Sequence, residues 1–224
     1  MNLFNRLFKN RKIVAKKKLS VIMPCYLGEY DGCATKRENK FLRAIHSFLE
    51  NNLEEKELIV ISDNCLITEK LLQINFYEEI EKGIIKYFRF NKKQILFSGA
   101  LRTKGIHLAE GEFICYLDSD DVIGKNHLSS IYSQIKSNDL DWAYFNDYIN
   151  TDTGLIPKKV ELLKDSIGTS SIIHKNHKKI NWNNCDGYGH DFMFIQKLIN
   201  WSKNRDKIYG GTYIICHIPN QIDK

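Results

Sequence analysis

Residues 112–122 read EFICYLDSDDV, and the fold turns on how this stretch is understood. Phe113, Ile114, Cys115, Tyr116 and Leu117 are an apolar run rich in β-formers behind a Gly-Glu turn, which predicts a strand covered on both faces. Asp118, Asp120 and Asp121 then crowd its carboxyl end. In an open α/β sheet that edge is where ligands bind. Clustered carboxylates raise one another's pKa unless a cation neutralises them, so an acidic strand end points to a divalent metal on hard oxygen ligands. The plainer alternative is a solvated turn with an Asp capping the next helix.

Working outward, strands and helices alternate. LSVIMPCY (19–26) predicts a strand broken by Pro24, KFLRAIHSFLENN (40–52) a helix, and ELIVISD (57–63) a second strand. TEKLLQINFYEEIEKG (68–83) predicts a helix closed by Gly83, IIKYFRF (84–90) a strand, and GALRTKGIHLAEG (99–111) a helix leading into the opening stretch. This spacing argues for right-handed βαβ units and a mostly parallel central sheet flanked by helices. Further on, HLSSIYSQIKSN (127–138) and GHDFMFIQKLINWSK (189–203) predict helices, and DWAYFNDYIN (141–150), KKVELL (158–163), GTSSIIHK (168–175) and KIYGGTYIICHI (207–218) predict strands. No Pro/Gly/Ser linker divides the chain, so the expectation is a single domain with two lobes, 18–121 and 122–224, behind a tail of residues 1–17.

Composition narrows the class. The chain has 224 residues, 43% of them apolar and 27% charged, which is ordinary for a folded globular protein. Of its 33 bases, seven lie in residues 1–18 with no acid, leaving 26 against 27 acids. A body so close to neutral argues against nucleic acid as a partner. The tail itself places Leu3, Phe4, Leu7 and Phe8 at helical spacing between cations, a pattern suited to an anionic membrane surface or to a solvated tail. Six scattered cysteines lack the C-x-x-C spacing of a zinc site and suit a reducing compartment. No apolar run approaches membrane-spanning length, so the expected location is cytoplasmic, peripheral at the inner face of the membrane if the tail binds there. His174 and His177 have metal-compatible spacing, but a solvated basic loop is the plainer reading.

Three predicted strand ends, at Tyr26, Asp63 and the Asp118 cluster, fall along one sheet edge. An aromatic ring, a lone carboxylate and a metal site in one crevice suit a nucleoside diphosphate. In this order the motifs resemble those of inverting family 2 glycosyltransferases, which have the GT-A fold, over roughly residues 18–223. The resemblance implies that Pro24 and Tyr26 line the nucleotide base and that Asp63 binds it. It also implies that Arg102 approaches the nucleotide and that Asp118, with Ser119 beside it, meets the ribose. Asp120 and Asp121 would hold Mn2+ or Mg2+, and Asp191 in GYGHDFMFIQKL would be the general base. ICHIPNQID resembles the segment that closes over the diphosphate, which makes His217 a metal-side candidate. Apart from the resemblance, Trp182 and Tyr188 in the polar loop NWNNCDGYG (181–189) suit a sugar-stacking acceptor wall with His190 beside it, although aromatics are commoner in a core.

The chain departs from the family pattern at Leu27, Ser62 and Thr103. The expected activity is metal-dependent, inverting transfer of a hexose or N-acetylhexosamine from a UDP-sugar to a glycan or lipid-linked acceptor, as in surface polysaccharide or lipooligosaccharide synthesis. Part of the acceptor wall could come from a second subunit of a homo-oligomer or from the membrane. Two alternatives stay open. A sugar-phosphate nucleotidyltransferase would carry a Gly-rich loop with Arg and Lys after the first strand, where this chain has CYLGEYDGCATKR. A nucleotide-sugar-binding module without turnover would keep the same filled positions.

Overall fold

The structure, a computed structural model, describes residues 17–94, 98–177, 179–185, 187 and 189–224. The basic tail up to residue 16, and Tyr188, lie outside the described residues. The first half runs β1 (Leu19–Cys25), α1 (Arg37–Leu49), β2 (Lys56–Ser62), α2 (Leu66–Asn75), α3 (Tyr77–Glu81), β3 (Ile85–Arg89), α4 (Gly99–Leu108) and β4 (Phe113–Tyr116). The second half holds β5 (Val122–Ile123), α5 (His127–Ser137), β6 (Trp142–Tyr144), β7 (Asp147–Thr151) and β8 (Gly154–Lys158). A 3-10 turn (Thr169–Ser171), β9 (Ile172–Lys175), α6 (His190–Trp201), β10 (Arg205–Lys207), β11 (Tyr213–Ile215), β12 (His217–Ile218) and β13 (Ile222–Asp223) complete it.

Seven strands form the main sheet in the order β10-β6-β9-β4-β1-β2-β3. All its pairings are parallel except those of β9 with β4 and β6. Every residue of β1, β2 and β4 is buried, as continuous apolar runs require when helices cover both faces. Alternation then sorts side chains by face. Val21, Met23, Val60 and Cys115 pack with Phe41 and Phe48 of α1 and Ile131 of α5, while Ile22, Ile114 and Tyr116 pack with Phe194 and Leu198 of α6. Helix α4 lies close on β1 because Gly105 has no side chain, and a Cβ there would sit 2.5 Å from Ile22 Cγ2.

Five sequence expectations are corrected. The first strand is not broken by Pro24, which stays within β1 and pairs with Ile61 of β2. The helix expected over 68–83 divides at Phe76, whose backbone leaves the helical region (φ −137°, ψ 28°) and whose side chain is buried in the core at 1% exposure. The strand expected over 141–150 is two strands in different sheets, because Phe145 turns inward between β6 and β7. Residues 159–163 form no strand; β8 ends at Lys158, and the Val160 carbonyl instead accepts from Lys207 Nζ at 2.6 Å. The strand expected over 207–218 breaks at Gly210, with φ +78°, and its later part joins a second sheet of order β5-β11-β7-β8. Periodicity reports which residues are buried, not which sheet buries them.

Candidate active site

Parallel pairing brings the carboxyl ends of β1, β2 and β4 to one edge, and Pro24 opens it. Leu117 N–H donates to Ile22 O, and Asp63 N–H donates to Cys25 O, so alternate residues of β1 address β4 and β2. The donor that Pro24 lacks therefore faces β4, past the last paired residues Ile22 and Tyr116, where no ladder bond is lost. The strands diverge there into a crevice of about 720 Å³. Its walls include Pro24, Tyr26, Asp63, Arg102, Asp118, Ser119, Asp120, Asp121, His190, Asp191 and His217, eleven of the thirteen sequence-derived candidates.

The acidic end is a structured turn. Asp121 N–H donates to Asp118 O at 3.2 Å, and the buried Tyr213 hydroxyl of β11 accepts from Asp118 N–H at 3.0 Å while donating to Asp121 Oδ2 at 2.9 Å. Asp121 Oδ1 accepts from Cys216 N–H at 2.7 Å. Both Asp121 oxygens thus tie the second sheet to the turn, a different placement from the open metal ligand expected. Burial raises the Asp121 carboxyl well above its ordinary range, and repulsion from Asp120 and Asp118 adds to it. Burial also raises Asp118; Arg102 pulls it back, and Asp120 and Asp191 push it further up. The Asp120 side chain makes no hydrogen bond or ion pair among the described residues. Its backbone carbonyl accepts from Arg43 Nη2 at 3.0 Å, which fixes the turn and leaves the carboxylate to the crevice.

Would these residues suit a divalent cation? Among the described residues no group of three or more His, Cys, Asp or Glu is arranged as a preformed cage. Mg2+ and Mn2+ need no such cage, because they bind through one or two carboxylates, water and substrate phosphates. The excess negative charge at Asp118 and Asp120 fits that pattern. His217 does not extend it: Nε2 lies 2.9 Å from Gly32 O and Nδ1 3.2 Å from Asp223 Oδ1, so both ring nitrogens meet protein oxygens.

Across the crevice the wall is cationic and aromatic, and sequence reasoning missed it. Lys93 Nζ sits 4.1 Å from the centre of the Tyr26 ring, and the Arg37 guanidinium lies 5.9 Å from that ring and 4.7 Å from the Tyr30 ring. Tyr30 and Lys93 lie on loops that follow parallel strands and Arg37 opens α1 at the end of the first of these loops, and that position is the signal that would have found them. Asp63 closes this end, its Oδ1 accepting from Gln94 N–H at 2.7 Å.

Asp191 stands at the start of α6, after Gly189 with φ +91°. Its Oδ1 lies 3.0 Å from His190 Nε2 and 3.6 Å from Arg102 Nη1. Burial pushes the Asp191 carboxyl up, but the His190 ring, the Arg102 charge and the Thr169 backbone N–H outweigh it and hold the group below its ordinary value. His190 and Asp191 also line a second cavity of about 460 Å³ with Lys158, Asp165, Ser166 and Phe192. One carboxylate thus borders two chambers.

Trp182 does not form the sugar-facing wall expected of it. Its ring is 1% exposed and stacked on Phe194 with centroids 4.0 Å apart, and its Nε1–H donates to Tyr116 OH. His174 is equally buried on β9, not in a solvated loop, and its Nε2 pairs with the same hydroxyl at 2.9 Å. The three departures from the family pattern are structural here: Leu27 is core, Ser62 Oγ accepts from Cys65 N–H, and Thr103 Oγ1 accepts from Trp182 N–H.

A family model described as "Glycosyl transferase family 2" matches residues 20–201, more than half of the chain. The chain belongs to this family. It is 26% identical over 209 residues to the Staphylococcus aureus poly(ribitol-phosphate) beta-N-acetylglucosaminyltransferase TarP, covering 84% of this chain and 59% of that protein. It is likewise 26% identical over 195 residues to a Campylobacter jejuni GalNAc(5)-diNAcBac-PP-undecaprenol beta-1,3-glucosyltransferase, covering 87% and 57%. The crystal structure of S. aureus TarS 1–349 superposes with a TM-score of 0.70 at 20% identity, covering 88% of this chain and 60% of that one. That likeness shows the GT-A fold. The chain spans about three fifths of the length of these relatives.

Proposed function

We propose that this chain is the catalytic part of a metal-dependent, inverting glycosyltransferase that takes its sugar from a UDP-sugar. The observation that carries the reading is Asp191, held ionised on the wall between a nucleotide-sized crevice and a second cavity. Tyr26 and Tyr30 offer ring faces for a base, Asp63 an acceptor for its polar edge, and Asp118 one for ribose. Asp120 with Asp118 would hold Mn2+ or Mg2+, which when bound neutralises charge on the diphosphate leaving group. Arg37 and Lys93 add positive charge from the opposite wall.

The acceptor hydroxyl then enters from the second cavity, loses its proton to Asp191 and attacks the anomeric carbon opposite the departing diphosphate. A single displacement of this kind inverts the anomeric centre. The sugar class follows the relatives, one named as an N-acetylglucosaminyltransferase and one as a glucosyltransferase, and TarS has been crystallised with UDP-GlcNAc. This division gives residues 18–121 mainly to the donor and 122–224 mainly to the acceptor. His190 would border the acceptor together with Lys158 and Phe192.

Titration calorimetry of UDP with and without Mn2+, on the parent and on Asp120→Ala, tests the reading. Binding that requires both metal and Asp120 supports it; binding indifferent to both would make DSDD a capped turn and favour a binding module. No helix among the described residues is long and apolar enough to cross a membrane. We assign surface contact to the basic start of the chain. Deleting residues 2–17 should reduce sedimentation with anionic vesicles, and unchanged sedimentation would remove that assignment.

A further inference from the structure

The resemblance sends Arg102 to the nucleotide, yet the structure gives it a different set of partners. Its side chain is buried, at 3% exposure for the residue, where α4 meets α6. Nη1 donates to Ser98 Oγ and lies 3.1 Å from His190 Nε2, while Nη2 lies 3.1 Å from Asp118 Oδ1 and 3.2 Å from Thr169 Oγ1. The guanidinium carbon sits 4.8 Å from the centre of the Trp182 ring, which is itself pinned by Phe194 and Tyr116. A planar fork seated on a fixed aromatic face has little freedom left.

We propose that Arg102 is a positioning residue for the Asp191 base: from its seat on Trp182 it orients that carboxylate at the boundary of the two cavities, and it does not bind the nucleotide. The inference rests on reading Asp191 as the base and assigns who holds it. The charged and titratable groups around Asp191 are Arg102 from α4, His190 from α6, Asp118 and Tyr116 from the end of β4, and Lys158 and Asp165 across the second cavity. His190 Nε2 stands closer, at 3.0 Å, but the same nitrogen lies 3.1 Å from Arg102 Nη1 while Nδ1 faces Gly187 O, so the guanidinium, 3.6 Å from the carboxylate, ties ring and carboxylate together. Lysine at 102 would keep the charge and lose the fork.

The test uses the full chain. In carboxyl 13C NMR, the Asp191 signal is identified by its absence from Asp191→Asn. In Arg102→Lys its titration midpoint should rise, because the charge stays but is no longer held in place by the fork. UDP affinity by calorimetry with Mn2+ should stay within about threefold, because lysine keeps a positive charge beside Asp118 and the nucleotide itself loses no contact. With UDP-GlcNAc as the probe for turnover, kcat should fall about tenfold, KM should hold, and the acid limb of the profile should move to higher pH. An unmoved midpoint together with a tenfold or greater loss of UDP affinity, on the scale of about 1.4 kcal/mol per decade, would make Arg102 a nucleotide contact and overturn the proposal. If Arg102→Lys does not fold, Thr169→Val removes one hydroxyl that fixes the guanidinium; a smaller upward shift supports the proposal, and an unchanged midpoint overturns it. Turnover surviving in Asp191→Asn would overturn the base assignment, a result separate from where the NMR midpoint places Arg102.

Discussion

The two ends of the main sheet both carry buried carboxylates, and they treat them in opposite ways. At the amino end Glu57 of β2 is fully buried, its Oε1 accepting from Ser20 Oγ and Glu110 N–H and its Oε2 lying 2.8 Å from Lys86 Nζ. Burial alone would raise this carboxyl, but the partners win and hold it below its ordinary value. At the carboxyl end burial wins, and Asp118 and Asp121 are raised with Asp120 adding repulsion. Both ends belong to one scaffold, so the contrast comes from the partners each was given. A fully matched charge holds structure together, whereas an under-matched one keeps its free energy for a ligand that brings positive charge.

The largest effect should come from breaking the matched end. Glu57→Gln leaves Lys86 without its buried partner and should cost about 2–3 kcal/mol of unfolding free energy. UDP affinity should not change. Urea denaturation and calorimetry on one sample check both halves, and a loss of UDP binding in the folded variant would erase the division between the ends. Asp120→Ala probes the other end in mirror image. It should lower UDP affinity in Mn2+ about a hundredfold, roughly 2.7 kcal/mol, while stability holds or rises as repulsion on Asp118 and Asp121 is relieved. A destabilised Asp120→Ala protein would show that this carboxylate is structural after all.

How much of this could be read from the chain depends on what each signal encodes. The runs in β1, β2 and β4 are apolar throughout because both faces are covered, so strand positions and the edge carrying Asp63 and Asp118 followed directly. Asp191 was reached only through the resemblance of GYGHDFMFIQKL to the family's acceptor-side segment, because a carboxylate at a helix start is by itself an ordinary first-turn residue. Trp182 was not legible, since a polar loop around an aromatic says nothing of Phe194 approaching from α6. Asp121 misled for a related reason: its partners Tyr213 and Cys216 are more than ninety residues away. The cationic wall of Arg37 and Lys93 escaped because a helix's first residue and a loop carry no periodicity, and only the sheet order shows that the two segments meet.

A pH-dependent effect separates the two ends from the rest of the interior. His127 and His174 are fully buried, and burial lowers them to about 3 and about 4 from an ordinary 6.5. The folded state therefore holds both neutral while the unfolded chain protonates them below pH 6.5. Their stabilising contribution is full above that pH and shrinks as pH falls toward their folded values. Each histidine adds a slope of about 1.4 kcal/mol per pH unit at most. Urea midpoints between pH 7 and 5 should fall, and His127→Gln should flatten the decline. A pH-independent midpoint would mean that neither ring is held neutral.

The smallest expected effect falls on the residue that joins the two logics. Tyr213 is fully buried, and its hydroxyl serves both the Asp118 backbone and the Asp121 carboxylate. Tyr213→Phe keeps the ring in the core and removes one bridging oxygen, so stability should fall by only about 1 kcal/mol. The same oxygen fixes the turn that presents Asp120, which lets a core tyrosine tune a crevice it does not line. UDP affinity should therefore drop several-fold along with the modest loss of stability. If stability falls and affinity stays, the turn keeps its shape through Cys216 and Arg43, and the Tyr213 hydroxyl is not what presents Asp120.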